Sequence, residues 1–184
     1  MRERSMTYEP IQFWTEQGKT YLSEYRHDDV YKRQEYVLIE YLKNLEFKSV
    51  LELGCGFGRL TNLLLATFPI DVYVGLDVSP DQLSHIKPRR NLMLMNTDIL
   101  KFSTDMKFDL VLSAEVLMHQ PPSDIQAIVD KMKSWSKKHI INIDYYKEEK
   151  EELVPYSFKH DYPALYTNAR MIQIAEQALF HCEL

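Results

Sequence analysis

Glycine is scarce in this chain: there are five in 184 residues, and three of those sit at alternate positions in Gly54-Cys55-Gly56-Phe57-Gly58. That scarcity excludes a collagen-like or glycine-rich low-complexity chain. Cysteine is rarer still, with Cys55 inside the glycine stretch and Cys182 near the end, so no disulfide framework or cysteine-built zinc site is expected and both thiols read as free. No apolar run approaches the ~20 residues of a membrane span, and Met1-Arg2-Glu3-Arg4 opens the chain without a signal-peptide core. The expectation is a cytoplasmic protein with no membrane partner. Positive charge is also short, at 22 Lys and Arg against 27 Asp and Glu, a net charge of -5. No global basic field is therefore available for nucleic acid, and a nucleic acid partner is not expected. The basic groups at Lys87-Pro88-Arg89-Arg90 and from Lys131 to Lys138 read as solvated faces.

What is present is a soluble-type composition, 45% hydrophobic and 27% charged, in a length that suits one domain. Its organising stretch is Val50-Leu51-Glu52-Leu53 followed by the glycines and then a helical pattern, Leu60, Leu63, Leu64, Leu65 and Phe68. The pattern predicts a strand, a tight loop and a helix N-terminus. Glycines there let a ligand approach the main chain without meeting a Cβ, and the helix start offers unpaired N–H groups and partial positive charge. Dinucleotide sites use such a turn with the spacing G-x-G-x-x-G, but here the third glycine comes one residue early, at Gly58, and Arg59 takes its place.

Further along, acids recur at strand ends. Asp71-Val72-Tyr73-Val74-Gly75-Leu76-Asp77 reads as a second strand ending in an acid, able to accept hydrogen bonds from both hydroxyls of a ribose. Ser79-Pro80-Asp81-Gln82 then reads as an N-cap, a first-turn proline and an early acid. Leu92-Met93-Leu94-Met95-Asn96 is a third strand, followed by Thr97-Asp98-Ile99. Phe108-Asp109-Leu110-Val111-Leu112-Ser113 is apolar enough to be a central strand covered on both faces, and its exit runs Ala114-Glu115-Val116-Leu117-Met118-His119-Gln120-Pro121-Pro122. Ser123-Asp124 predicts the cap of a helix with Ile125, Ile128, Val129, Met132 and Trp135 buried, and His139-Ile140-Ile141-Asn142-Ile143 predicts a fifth strand. Residues 170–184 alternate as a strand pair, with no glycine or Asn-Gly to mark their turn. Ahead of all this, Tyr8, Phe13, Trp14, Tyr21, Tyr25 and Tyr31 lie among charges as an aromatic-rich polar segment before a helical stripe at Tyr36, Val37, Ile39, Leu42 and Leu45.

The string from Glu52 to Arg59, with Asp77, Asp98 and the Glu115 to His119 exit in order behind it, resembles the motifs of the class I S-adenosylmethionine-dependent methyltransferases. The resemblance covers residues 48–184. It implies an α/β, Rossmann-like fold with a seven-stranded, mostly parallel sheet of order 3-2-1-4-5-7-6 and helices on both faces. It implies S-adenosylmethionine as cofactor and S-adenosylhomocysteine as product. The glycines Gly54, Gly56 and Gly58, with Cys55 and Arg59, would pass the methionine part, whose amino group Glu52 would reach through water. Asp77 would hold the ribose hydroxyls, Asp98 and Ile99 the adenine, and Glu115 the methionine end, with Val78 and Gln82 also binding the cofactor. Residues 1–45 would be a helical, aromatic segment, either a cover over one sheet end or a lid, with Tyr21, Tyr25, Arg26 and Arg33 placed to meet a carboxylate or phosphate.

Methyl transfer from a sulfonium needs alignment and, for a protonated nucleophile, a base. Glu115, His119, Asp144, Tyr145, Tyr146, His160 and Asp161 are the candidates by position. His119 comes first because a histidine titrates near neutral pH and sits just past the central strand, with His160 and Tyr146 behind it. The expected reaction is methylation of an oxygen or nitrogen of a small polar acceptor. A second grouping, Glu115, His119 and His160, is similar to the metal-binding set of the Hen1-like RNA 2′-O-methyltransferases, with Met118 where that family has a further carboxylate. A non-catalytic cofactor-binding subunit is the third possibility, and the oligomeric state is left open.

Overall fold

A computed structural model of the chain describes residues 8–25, 28–145, 157–166 and 168–184. Two helices come first, α1 (Pro10–Glu24) and α2 (Asp29–Leu42), and then strands and helices alternate: β1 (Ser49–Leu53), α3 (Arg59–Thr67), β2 (Val72–Asp77), α4 (Pro80–Ser84), β3 (Leu92–Asn96) and β4 (Phe108–Ala114). A short 3₁₀ turn, Leu117–His119, precedes α5 (Ile125–Trp135), β5 (Ser136–Tyr145), α6 (Tyr162–Leu165), β6 (Arg170–Ile174) and β7 (Gln177–Glu183). The seven strands form one sheet in the order β3-β2-β1-β4-β5-β7-β6. β7 runs antiparallel to both β5 and β6, while the other neighbours pair in parallel. The expected order and mixed direction are those observed.

Period-two alternation divides the core between two faces. Leu51, Leu53, Val111, Ile140 and Phe180 point towards α5 and α6, and pack with Ile128, Met132, Trp135, Tyr162 and Tyr166. Val50, Leu110, Leu112, Ile141 and Leu179 point the other way, onto Leu38 and Leu42 of α2 and Leu60 and Leu64 of α3. The strand order reverses between β1 and β4, so the loops leaving these two central strands diverge and open a crevice at their carboxyl ends.

Several local features follow the sequence and several depart from it. Ser79 caps α4 by accepting from the Gln82 N–H, with Pro80 in the first turn. The aromatic segment before α2 is itself a helix, α1. Its Gly18 lies against α4: a Cβ there would stand 2.0 Å from the Ser79 hydroxyl oxygen. The fifth strand is longer than its apolar run, because β5 begins at Ser136, directly after α5 ends at Trp135. Ala175 turns the β6–β7 hairpin at a φ of 54°, in the left-handed region that glycine or asparagine usually supplies, which is why no turn residue announced it.

Candidate functional site

The loop after β1 is built by three positive-φ glycines, and Gly56 is the one that faces open space. A Cβ at Gly56 would meet only the Gln82 Oε1 atom, 3.6 Å away, whereas one at Gly54 would strike Val116 at 2.4 Å. The neighbouring strand end ties the loop down. Asp77 accepts from the Gly56 N–H through Oδ2 and from the Ser79 N–H through Oδ1, each at 2.8 Å, and the Cys55 N–H donates to the Leu76 carbonyl at 2.9 Å. Asp77 thus fastens two loops while its remaining lone pairs stay available to a ligand. Burial pushes its pKa up, opposed by those backbone N–H groups. Gln82 is 6% exposed and its Oε1 has no hydrogen-bond partner, which leaves an acceptor on the wall of the crevice beside Gly56.

That crevice is a cavity of about 180 Å³. Loop and strand-end residues line it, namely Glu52, Gly54, Cys55, Gly56, Arg59, Asp77, Val78, Gln82, Asp98, Ile99, Glu115 and His119, with an aromatic wall of Trp14, Tyr21, Tyr25, Tyr31 and Phe57. Gly58 is absent from that lining; it is the N-cap of α3, at φ 87°. Glu52 is buried, and one of its oxygens accepts from the Thr61 hydroxyl and, at 2.7 Å, from the Tyr73 hydroxyl. Burial raises its pKa to about 7 against the pull of those two bonds and of Arg59. Asp98 uses Oδ1 to accept from the Leu100 N–H at 3.1 Å, which shapes the turn that brings Ile99 to the cavity.

Glu115 leaves β4 at a φ of 57°, a conformation that costs an L-residue energy unless its surroundings hold it. They do. Its carboxylate accepts from the amides of Gln34 and Gln177 and from the Tyr31 hydroxyl. Gln34 in turn accepts from Arg59, which also pairs with Glu35 at 3.2 Å and lies 4.9 Å from the centre of the Tyr31 ring. The arginine and the glutamate expected to face a ligand are therefore joined through α2 into one network on the cavity wall. The two amides that close it were missed from the sequence. Gln34 carried one signal, its place on the apolar stripe with Leu38 and Leu42, and Gln177 carried none.

The catalytic candidates separate. His119 lines the cavity, its ring 4.5 Å from that of Trp14 and its carbonyl accepting from the Tyr8 hydroxyl at 2.9 Å. His160 does not reach the cavity lining. Its Nε2 lies 3.0 Å from the Gln120 carbonyl, so this nitrogen carries the proton and donates, and burial lowers the ring's pKa. The residue straps the return segment to the turn that carries His119. Tyr146 and Arg26 fall outside the described residues, and Arg33 is exposed. Asp161 caps α6 by accepting from the Ala164 N–H, and Asp144 is buried beneath the turn, accepting from the Met118 N–H at 3.2 Å. The grouping of Glu115, His119 and His160 is not assembled: among the described residues no three His, Cys, Asp or Glu side chains are arranged to hold a metal ion.

The family model described as a methyltransferase domain matches residues 50–139, from β1 to the start of β5. This match spans just under half of the chain, and over that stretch the chain is similar to methyltransferase domains. The chain is 26% identical over 125 residues to (S)-tetrahydroprotoberberine N-methyltransferase of Eschscholzia californica, a match that spans 64% of this chain and 33% of that protein. It is 33% identical over 72 residues to malonyl-(acyl-carrier protein) O-methyltransferase 2 of Ilyobacter polytropus, across 37% of this chain and 28% of that one. The chain thus spans a minor part of the length of these curated relatives. Among solved structures, the N-methyltransferase NodS of Bradyrhizobium japonicum in complex with S-adenosylhomocysteine shares the fold with a TM-score of 0.78 at 19% identity, over 95% of this chain and 98% of that chain. Among the described residues no helix is long and apolar enough to cross a membrane.

Proposed function

We propose that the chain transfers the methyl group of S-adenosylmethionine to a nitrogen or oxygen of a small polar acceptor. The observation that carries the reading is the cradle formed by Gly56, Asp77 and Gln82. Its glycine leaves room where a Cβ would stand, its carboxylate has lone pairs to spare, and its buried amide oxygen waits for a donor. A nucleoside with a vicinal diol fits that donor and acceptor set, and Asp98 with Ile99 continues it along the next strand end. When bound, the cofactor supplies a methyl group activated on a sulfonium. The protein's part is to hold Glu52, Glu115 and the glycine loop around it, to exclude water with Trp14, Tyr21, Tyr25, Tyr31 and Phe57, and to accept a proton at His119 where the acceptor carries one.

The wall also bears on the acceptor. Its carboxylates belong to Glu52, Asp77, Asp98 and Glu115, and its one guanidinium, that of Arg59, is committed to Glu35, Gln34 and the Tyr31 ring. Among the described residues an anionic acceptor therefore finds no uncommitted cation there, while aromatic faces and carboxylates favour an amine or a neutral hydroxyl. Titration calorimetry of the purified chain tests the cofactor. The expected result is binding of S-adenosylmethionine and S-adenosylhomocysteine but not of nicotinamide dinucleotides; absence of binding by the first two would overturn the reading.

A further inference from the structure

On the face of the sheet away from α2, the carboxyl ends of β4 and β5 carry polar side chains into a fully buried layer. Ser113 and Asn142 are register partners on these neighbouring strands, and both have no exposed surface. Asp144, two residues further along β5, is also fully buried and accepts from the Asn142 amide through Oδ2 at 2.8 Å. Tyr162 and Tyr166 of the α6 segment cover the layer, their rings nearly parallel with centres 6.5 Å apart, and neither is exposed. The Asp144 carboxylate acts on both phenols, adding to the effect of burial in raising their pKa values.

Three atoms of this layer have no hydrogen-bond partner, the hydroxyls of Ser113 and Tyr166 and Oδ1 of Asn142, while the Tyr162 hydroxyl has the Asp144 carboxylate beside it. Buried polar atoms are rarely left so, because each one unpaired forfeits the hydrogen bond it had in water. The set holds two unpaired hydroxyl donors and one free amide acceptor beside a carboxyl group. Water, which donates and accepts equally, joins such groups where they cannot reach one another directly. The layer also touches the cavity side of the molecule, since Asp144 uses its other oxygen to accept from the Met118 N–H in the Leu117–His119 turn.

We propose that Ser113, Asn142, Asp144, Tyr162 and Tyr166 enclose a site for ordered water, and that this hydrated cluster braces the turn carrying His119 through the Asp144 to Met118 hydrogen bond. Asp144 is in this account a positioning residue. The water site rests on packing alone, and its bearing on turnover rests on the methyltransferase reading.

The sign of a stability change tests the site. A hydroxyl bonded to internal water contributes to stability, so Tyr166→Phe, Tyr162→Phe and Ser113→Ala each lower the thermal unfolding midpoint. Removing a hydroxyl that bonds nothing is neutral or stabilising. The Ser113→Ala/Tyr166→Phe double variant loses less than the sum of the single losses where the two share water. Unchanged or raised midpoints for Tyr166→Phe and Ser113→Ala, or a high-resolution crystal structure showing a dry layer, would overturn the water site. The brace is read separately from the indole N–H resonance of Trp14, whose ring lies against that of His119. Asp144→Asn keeps an oxygen for Met118 and leaves that resonance in place; Asp144→Ala shifts it. A resonance equally unmoved in both folded variants refutes the brace. Neither readout involves cofactor, so S-adenosylhomocysteine calorimetry on the same proteins distinguishes failure of this inference from failure of the proposed function.

Discussion

Two buried polar chains lie under α2, one at each end of the strands, and they use different chemistry. At the carboxyl end, Arg59, Gln34, Glu115 and Gln177 link a charged pair of opposite sign through neutral amides around a strained residue on the cavity wall. At the other end, the Tyr41 hydroxyl meets Nδ1 of His181 at 2.7 Å, and Nε2 of His181 meets Nδ1 of His139 at 3.1 Å, with both histidines buried. The first chain borders open space and retains ions. The second is sealed and holds neutral rings: burial lowers both histidine pKa values, that of His181 to about 4. An ion is tolerated where a cavity and its ligand can share the cost of desolvation, and is suppressed where packing is complete.

The contrast is broken most severely at the cavity end. Asp77→Ala removes the bonds to Gly56 and Ser79 together with the proposed ribose contacts, and should weaken S-adenosylhomocysteine binding by about 3 kcal/mol in calorimetry. Binding as tight as in the parent would misplace the pocket. Glu115→Ala strands the two amides and retains the positive φ, so the loss in stability by urea denaturation should be about 2 kcal/mol. Glu115→Gly, which relieves the backbone, should recover part of it. Gly18→Ala should undock α1 from Ser79 at a cost of about 1 to 3 kcal/mol, seen as faster proteolysis within α1.

Titration sharpens the comparison further, with smaller effects. The folded pKa of His181 is depressed, so its contribution to stability is complete above the unfolded value near 6.5 and is lost as pH falls towards about 4. The slope is at most about 1.4 kcal/mol per pH unit, and His181→Phe should abolish it in midpoint-versus-pH measurements. Glu52 has the opposite sign. Its folded pKa is raised to about 7, so stability is fullest below its unfolded value and declines as pH rises through neutrality. Glu52→Gln should remove this decline and leave the histidine contribution, of opposite slope, in place.

The cavity end was also the more legible of the two in sequence. Glu52, the glycines, Asp77 and Asp98 are recognisable because a strand, a loop and an acid recur at each strand end, and local chemistry alone places them. The cap at Ser79 is local as well. What stayed hidden depends on contacts between residues far apart in the chain. Gln34 and Gln177 are unremarkable amides until α2 and β7 meet over Glu115. His160 looked like a base because its position in the order was right, but its partner is a main-chain carbonyl, which no pattern of residue types encodes. The aromatics of α1 follow the cavity rather than the core, with Trp14 and Tyr21 on its wall.

Glycine scarcity acquires a meaning from this geometry. A Cβ would press Gly18 against Ser79, Gly54 against Val116, Gly58 against Ile86 and Gly75 against Cys55, and would enter the cavity at Gly56. All five glycines of the chain therefore adjoin the glycine loop or the helix packed over it. Replacing any glycine in this protein disturbs one neighbourhood, that of the cavity and the helix packed over it.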